Sequence, residues 1–165
     1  MYHLEVCGSY RRGRAFCGDI DILISRKDGK YEKRLLLDLV LELERVGLLT
    51  DHLVFPSSSK EHKSLSYMGV CQLDEFIHHR IDIKYYPIEE YPYALLYFTG
   101  SDMFNRSMRL YASKLGIQLN DHGAFARRRN LNDDFWDKPI PVCRNEKEIF
   151  DFLGMDYKTP HERDV

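Results

Sequence analysis

The chain has 165 residues, 44% of them hydrophobic, and a formal net charge of −2. That is enough apolar material for one sizeable core or two small lobes sharing an interface, and the near-neutral balance excludes a globally basic nucleic-acid binder, so any grip on phosphates must come from local clusters such as Arg11, Arg12 and Arg14, Arg106 and Arg109, or Arg127-Arg128-Arg129. The four cysteines form no C-x-x-C pair, which argues against a zinc site or a disulfide framework and suits a reducing compartment, and no stretch has the length of a membrane span or the apolar core of a signal peptide.

In chain order, residues 4–6 form a short apolar lead-in, the end of a strand. Residues 9–16 predict a short helix with Ser9 as its cap. Residues 18–25 read as a buried strand, followed by the Asp28-Gly29 turn. Residues 31–46 give the clearest helix, with Leu35, Leu36, Leu39, Leu43 and Val46 on one stripe and Gly47 behind it. An extended segment over 48–55 leads into a flexible polar loop at 56–60, and 64–73 predicts another strand. Residues 80–86 alternate cleanly: Ile81, Ile83 and Tyr85 face one way, Arg80, Asp82 and Lys84 the other.

Pro87 and Pro92 mark a change of character, and a lobe boundary is expected there. A helix over 93–98 stops at Thr99-Gly100; Ser101 caps the next, 102–115, whose apolar stripe is Phe104, Met108, Tyr111 or Ala112, and Leu115. Short strands and turns follow over 117–142, with Arg127 to Arg129 in a hairpin or loop. Asn145 caps a last helix over 146–153, and 155–165 reads as a polar tail.

Two motifs point to chemistry. Asp19 and Asp21 share one strand face, while Ile20, Ile22 and Ile24 take the other. Paired carboxylates at the start of an apolar strand repel each other and are costly to desolvate, a cost that a hard divalent cation with oxygen ligands resolves. Just upstream, Gly8-Ser9 opens a helix whose backbone N–H groups can meet an anion, and Arg12 can reach the same phosphate. Either motif alone is commonplace. Together, in this order, they suggest work on a nucleoside triphosphate. Asp82 between Arg80 and Lys84 is by itself a surface ion-pair row; on a strand beside Asp19 and Asp21 it becomes a third ligand. His78 and His79 are loop residues rather than ligands, since Mg²⁺ prefers oxygen.

The run Gly8-Ser9-Tyr10-Arg11-Arg12-Gly13 to Gly18-Asp19-Ile20-Asp21, with Arg80-Ile81-Asp82-Ile83, Tyr97-Phe98-Thr99-Gly100-Ser101, Phe104-Asn105-Arg106-Ser107-Met108-Arg109 and the Glu162-Arg163-Asp164 ending, resembles the X family of DNA polymerases, beta and lambda type. The resemblance implies an α+β nucleotidyltransferase palm with a mixed sheet and packed helices over 1–88, followed by a small α+β thumb lobe over 89–165. It implies that Asp19, Asp21 and Asp82 hold two Mg²⁺ ions, with Mn²⁺ possible, and that a primer 3′-OH attacks the α-phosphorus of a dNTP. Ser9, Arg12 and the Gly18 N–H match the β- and γ-phosphate contacts; Tyr97, Phe98 and Gly100 line the sugar. The resemblance further implies that Asp102 packs on the incoming base, that Asn105 reaches its minor-groove edge, and that Arg109, with Arg80, Lys84 and Arg106, meets DNA. The Tyr-Phe-Thr-Gly block fits template-directed members. The expected partners are gapped or primer–template DNA and a dNTP, for a monomer in the nucleus. The lyase and helix-hairpin-helix regions that family members carry upstream are missing from these residues, so no 5′-deoxyribose-phosphate lyase activity and only weak, salt-sensitive DNA binding are expected of them.

Overall fold

The computed structural model describes residues 1–58, 65–126 and 142–165. Among these, five strands build a mixed sheet: β1 (Tyr2–Val6), β2 (Asp19–Arg26), β3 (Leu49–Ser58), β4 (Leu65–Cys71) and β5 (His79–Tyr85), in the order β1-β2-β5-β4-β3. The β2–β5 pair is parallel and the other three pairs are antiparallel. Helices α1 (Gly8–Arg11) and α2 (Leu35–Arg45) belong to this lobe. The second lobe holds α3 (Tyr91–Thr99), α4 (Asp102–Lys114), the ribbon β6 (Ile117–Asn120) and β7 (Gly123–Ala126), and α5 (Glu146–Phe152). The class is α+β, and no helix among the described residues is long and apolar enough to cross a membrane.

Strand β2 explains why the site lies where it does. Its Ile20, Ile22 and Ile24 side packs with Ile81, Ile83 and Tyr85 against Leu36 and Val40 of α2. On the other face Leu23 is sealed with Cys7, Tyr86 and Ala94 beneath α3. A parallel strand covered on both faces needs the near-continuous apolar run that follows Asp21, and each such side chain contributes about 1.5–3 kcal/mol by burial. Asp19 and Asp21 precede that cover, on the face that α3 closes only further along. A separate core of Tyr93, Leu96, Met108, Ala112, Ile149 and Phe150 holds α3, α4 and α5 together. Ser101 and Asn145 cap α4 and α5: Ser101 Oγ accepts the Phe104 N–H at 3.2 Å, and Asn145 Oδ1 accepts the Glu148 N–H at 3.0 Å.

Several boundaries differ from the sequence reading. Helix α1 is a single turn, Gly8–Arg11, and Ser9 lies inside it without a capping bond. It ends early because the Gly13 and Arg14 N–H groups turn back onto the Tyr10 and Ser9 carbonyls. Helix α2 starts at Leu35 rather than residue 31, since Tyr31 is drawn away to stack on Tyr85 at 5.7 Å. Its stripe includes Val40, fully buried, while Val46 is 58% exposed. Strand β3 runs through Pro56 to Ser58, the first part of the loop expected over 56–60, whose residues 59–60 lie outside the described residues; Pro56 is tolerated because β3 is an edge strand. Ala112, not Tyr111, completes the α4 stripe, and Leu115 is half exposed. Arg127 to Arg129 lie outside the described residues.

The largest departure is the C-terminal segment, which is a strut between the lobes rather than a polar tail. A 3₁₀ turn, His161–Arg163, buries Arg163 completely. Arg163 Nη1 donates to Glu146 Oε1 at 2.6 Å and Nε to the Lys158 carbonyl at 2.8 Å, and its guanidinium carbon lies 5.2–5.8 Å from the ring centres of Phe104, Phe150 and Tyr157. From the first lobe, Arg11 donates to both Glu146 oxygens at 3.0 and 2.9 Å. Burial opposes the charge on Glu146, but the bonds from Arg11 and Arg163 outweigh it and hold its carboxyl below the usual range. A second joint lies at the β6–β7 turn, where Tyr86 donates to Asp121 and His122 Nδ1 is 2.6 Å from Glu90 Oε2.

Removing one partner of a buried ion pair undercuts the other, and without Arg163 the buried Glu146 is left with Arg11 alone. Arg163→Met is therefore expected to lower stability by about 3–5 kcal/mol in urea unfolding; a loss below about 1 kcal/mol would show that the Glu146 network is not buried in solution.

Candidate active site

The β2–β5 register sets Asp21 directly beside Asp82 and Asp19 beside Arg80. Residues opposite each other on neighbouring strands share a face, so three carboxylates and two cations (Arg80 and Lys84) converge on one patch of sheet. Arg80 Nη2 donates to Asp19 Oδ2 and Asp82 Oδ2, 3.3 Å each. Lys84 Nζ donates to Ser66 Oγ at 3.1 Å and stands 4.9 Å from the centre of the Phe98 ring. Asp82 is 5% exposed, and its Oδ1 is buried with no hydrogen-bond partner among the described residues. Burial, then the neighbouring charges of Asp19 and Asp82, push the Asp21 carboxyl up to about 6, against the weaker pull of Lys84 and Arg80.

Helix α1 is brought onto this patch by its first residue. Gly8 has φ +58°, and a Cβ there would collide with Asp21 Oδ2, so only glycine lets the backbone approach the carboxylate. The Cys7 N–H donates to the Asp21 carbonyl at 2.8 Å and fixes the approach. Burial pushes the Cys7 thiol up to about 12, which makes it packing rather than a nucleophile.

Above the carboxylates an open cleft of about 300 Å³ separates the lobes. Asp19 and Asp21 form its floor, Gly8, Ser9 and Arg12 one wall, and Tyr97, Phe98, Gly100, Asp102 and Asn105 the other. All of these are residues named in the sequence motifs, Gly8 as the opening of the Gly-Ser turn. The remaining candidates lie elsewhere. Asp82 sits beside Asp21 beneath the floor, and Gly18 immediately precedes β2. Arg109 lines a narrow crevice with Tyr93, Leu96, Met108 and Leu119. Arg106 pairs with Asp102 at 2.8 Å on the exposed side of α4. Asn105 and Arg12 of the cleft also have internal partners: Asn105 Nδ2 donates to the Tyr97 carbonyl at 2.7 Å, and Arg12 donates through Nε to Asp164 Oδ1 at 2.8 Å and through Nη1 to the Thr99 carbonyl at 2.7 Å. Sequence reasoning gave no role in the site to Thr99, Glu146 or Asp164, whose arginine partners are too distant in the chain for any spacing rule to connect.

The donor set suits a hard cation: every ligand atom is a carboxylate oxygen, one is buried and unpartnered, and Asp21 lacks a sufficient counter-charge. The set is not closed, because no three His, Cys, Asp or Glu side chains among the described residues come together as a ready ligand cluster. Arg80 occupies the position between Asp19 and Asp82, so an ion entering there would displace its contacts.

Residues 1–88 match the family model described as DNA polymerase beta palm, and residues 94–164 match that described as DNA polymerase beta thumb. The chain belongs to the X family of DNA polymerases and carries its palm and thumb. It is 40% identical over 162 residues to DNA polymerase lambda of Rattus norvegicus, which covers 96% of this chain and 28% of the relative. It is 36% identical over 167 residues to DNA polymerase lambda of Arabidopsis thaliana, covering 97% and 32%. To DNA nucleotidylexotransferase of Xenopus laevis it is 30% identical over 192 residues, covering 98% and 36%. The chain thus spans about a third of the length of these curated relatives.

Because the folded-state pKa of Asp21 lies above its unfolded value, its contribution to stability is complete at low pH and is lost as pH rises through about 6. Asp21→Asn is expected to raise the melting temperature at pH 8, by an amount on the order of 1 kcal/mol in stability, with the gain vanishing below pH 4. Thermal melts across that range check it; a less stable variant at pH 8 would remove the repulsion from the account.

Proposed function

We propose that this chain is the nucleotidyl-transfer core of a template-directed DNA polymerase, adding a dNMP to a primer 3′-OH in short-gap repair such as base excision or end joining. The observation that carries the reading is the Asp21–Asp82 register on adjacent parallel strands, with Asp19 two residues upstream, under a cleft walled by both lobes. Asp19, Asp21 and Asp82 are assigned to two Mg²⁺ ions, for which Mn²⁺ can substitute. Such ions, when bound, make the attacking hydroxyl more acidic and offset the charge of the triphosphate.

The rest falls to the chain's own groups. Ser9, the Gly18 N–H and Arg12 hold the outer phosphates. Tyr97, Phe98 and Gly100 orient the sugar, and Asp102 and Asn105 face the base. Holding the reactants in line supplies much of the rate enhancement in such reactions. Asp82, almost wholly out of water, is the carboxylate we assign to the primer side. Arg80, once released from Asp19 and Asp82, is assigned with Lys84, Arg106 and Arg109 to the DNA strands. The lambda relatives match at 40% and 36% identity and the nucleotidylexotransferase at 30%, which favours template direction. A nuclear, monomeric protein belongs to the same proposal.

Single-nucleotide extension on a one-nucleotide gap at low salt tests it. The expected result is incorporation that follows the template base and falls at least about 100-fold in Asp82→Ala. Incorporation that ignores the template base would point instead to a template-independent transferase, and extension unaffected by Asp82→Ala would overturn the assignment of the site.

A further inference from the structure

We propose that Asp164, one residue from the C-terminus, is a positioning residue for the triphosphate: it holds the Arg12 guanidinium in place at the cleft wall before any nucleotide arrives. The inference rests on the nucleotidyl-transfer reading above and names a part of the site that the glycine-serine and carboxylate motifs do not contain.

The geometry fixes Arg12 from behind. Arg12 lines the cleft and Asp164 does not. Asp164 Oδ1 takes the Nε–H of Arg12 at 2.8 Å, and the Thr99 carbonyl takes Nη1 at 2.7 Å. A guanidinium carries five N–H groups in a rigid fork; these two contacts anchor it and leave the others for an anion. The anchor is close enough that a Cβ at Gly100 would lie 3.1 Å from Arg12 Nη1. The same carboxylate also takes Arg14 Nε, 2.9 Å from each oxygen, so one carboxylate gathers two guanidinium groups at the rim and leaves a net positive charge there.

Asp164 is itself held rigidly. Its N–H donates to the His161 carbonyl at 3.2 Å. Its neighbours are pinned on both sides: the Arg163 carbonyl accepts the Ser101 N–H at 3.2 Å, and the Val165 carbonyl accepts the Ser101 hydroxyl at 3.0 Å. His161 Nδ1 also lies 3.2 Å from the Arg12 carbonyl, so the C-terminal turn supports backbone and side chain of the same arginine. A free arginine would lose rotamer entropy on gripping a phosphate; an arginine already frozen by the protein avoids that loss at binding.

The opposite role, a carboxylate that competes with phosphate for Arg12, predicts the opposite sign, and this makes the inference testable. Equilibrium binding of a dNTP with Mg²⁺, and of the corresponding deoxynucleoside, would be measured on the full chain, with Asp164→Ala, Asp164→Asn, Arg12→Ala and the Asp164→Ala/Arg12→Ala pair, each checked for folding by its melting temperature. The expected result is a loss of about tenfold in triphosphate affinity for Asp164→Ala and a smaller loss for Asp164→Asn, whose amide oxygen still accepts from Nε. Deoxynucleoside binding is unchanged, and Asp164→Ala has no further effect once Arg12 is Ala. Unchanged or tighter triphosphate binding in a folded Asp164→Ala overturns the inference while leaving the polymerase reading intact. Should Asp164→Ala not fold, the same outcome in Asp164→Asn overturns it. A wild-type chain that does not prefer the triphosphate to the deoxynucleoside overturns both.

Discussion

A cluster of like charge on adjacent strands is the constraint from which the rest of the structure follows. Asp21 and Asp82 stand opposite each other across a parallel pair, with Asp19 on the same face. Such groups cannot all ionise at low cost without a cation among them. In the protein alone Arg80 partly fills that role, in contact with Asp19 and Asp82, while Asp21 carries the residual strain as a carboxyl pushed up to about 6. The sheet is sealed on both faces beyond Asp21 and open before it, so the cluster sits where packing ends and the cleft begins. Gly8 completes the arrangement by letting a helix amino end approach a carboxylate at a distance no other residue permits.

The two arginines of the Arg11-Arg12 pair divide the work of this cleft. Arg11 reaches Glu146 and, through it, the buried Arg163, which ties the first helix of one lobe to the last helix of the other. Arg12 turns to the cleft and is held there by Thr99 and Asp164. The C-terminal residues contribute to both: Arg163 to the joint between lobes, and Asp164, from behind the cleft wall, to the placement of Arg12. A largely polar segment is thereby a structural member, because Arg163 and Asp164 are paired rather than solvated and Met155 and Tyr157 pack on the second core.

How much of this was legible in the sequence depends on the range of the interaction. The strand carrying Asp19 and Asp21 and the alternation around Asp82 follow from a period of two, and the caps at Ser101 and Asn145 from local chemistry. Ser9 and Arg12 came from the local anion motif and Tyr97 and Asn105 from the family resemblance, and the structure brings all four to one opening. Helix α1 was overextended because the turn after Tyr10 is set by backbone bonds that no periodicity reports. Glu146 and its arginines, 135 and 17 residues away, were invisible for a different reason: a charged residue carries no pattern that marks it as buried.

The central claim is that the Asp19, Asp21 and Asp82 face is a cation site whose protonation and metal occupancy compete. The most direct measurement is Mn²⁺ binding followed by electron paramagnetic resonance between pH 5 and 8, in the wild type and in Asp82→Asn. Binding that strengthens as pH rises through about 6, and that is lost in the variant, is the result this account predicts. Mn²⁺ binding that is flat across that range, or equal in the two proteins, would contradict it.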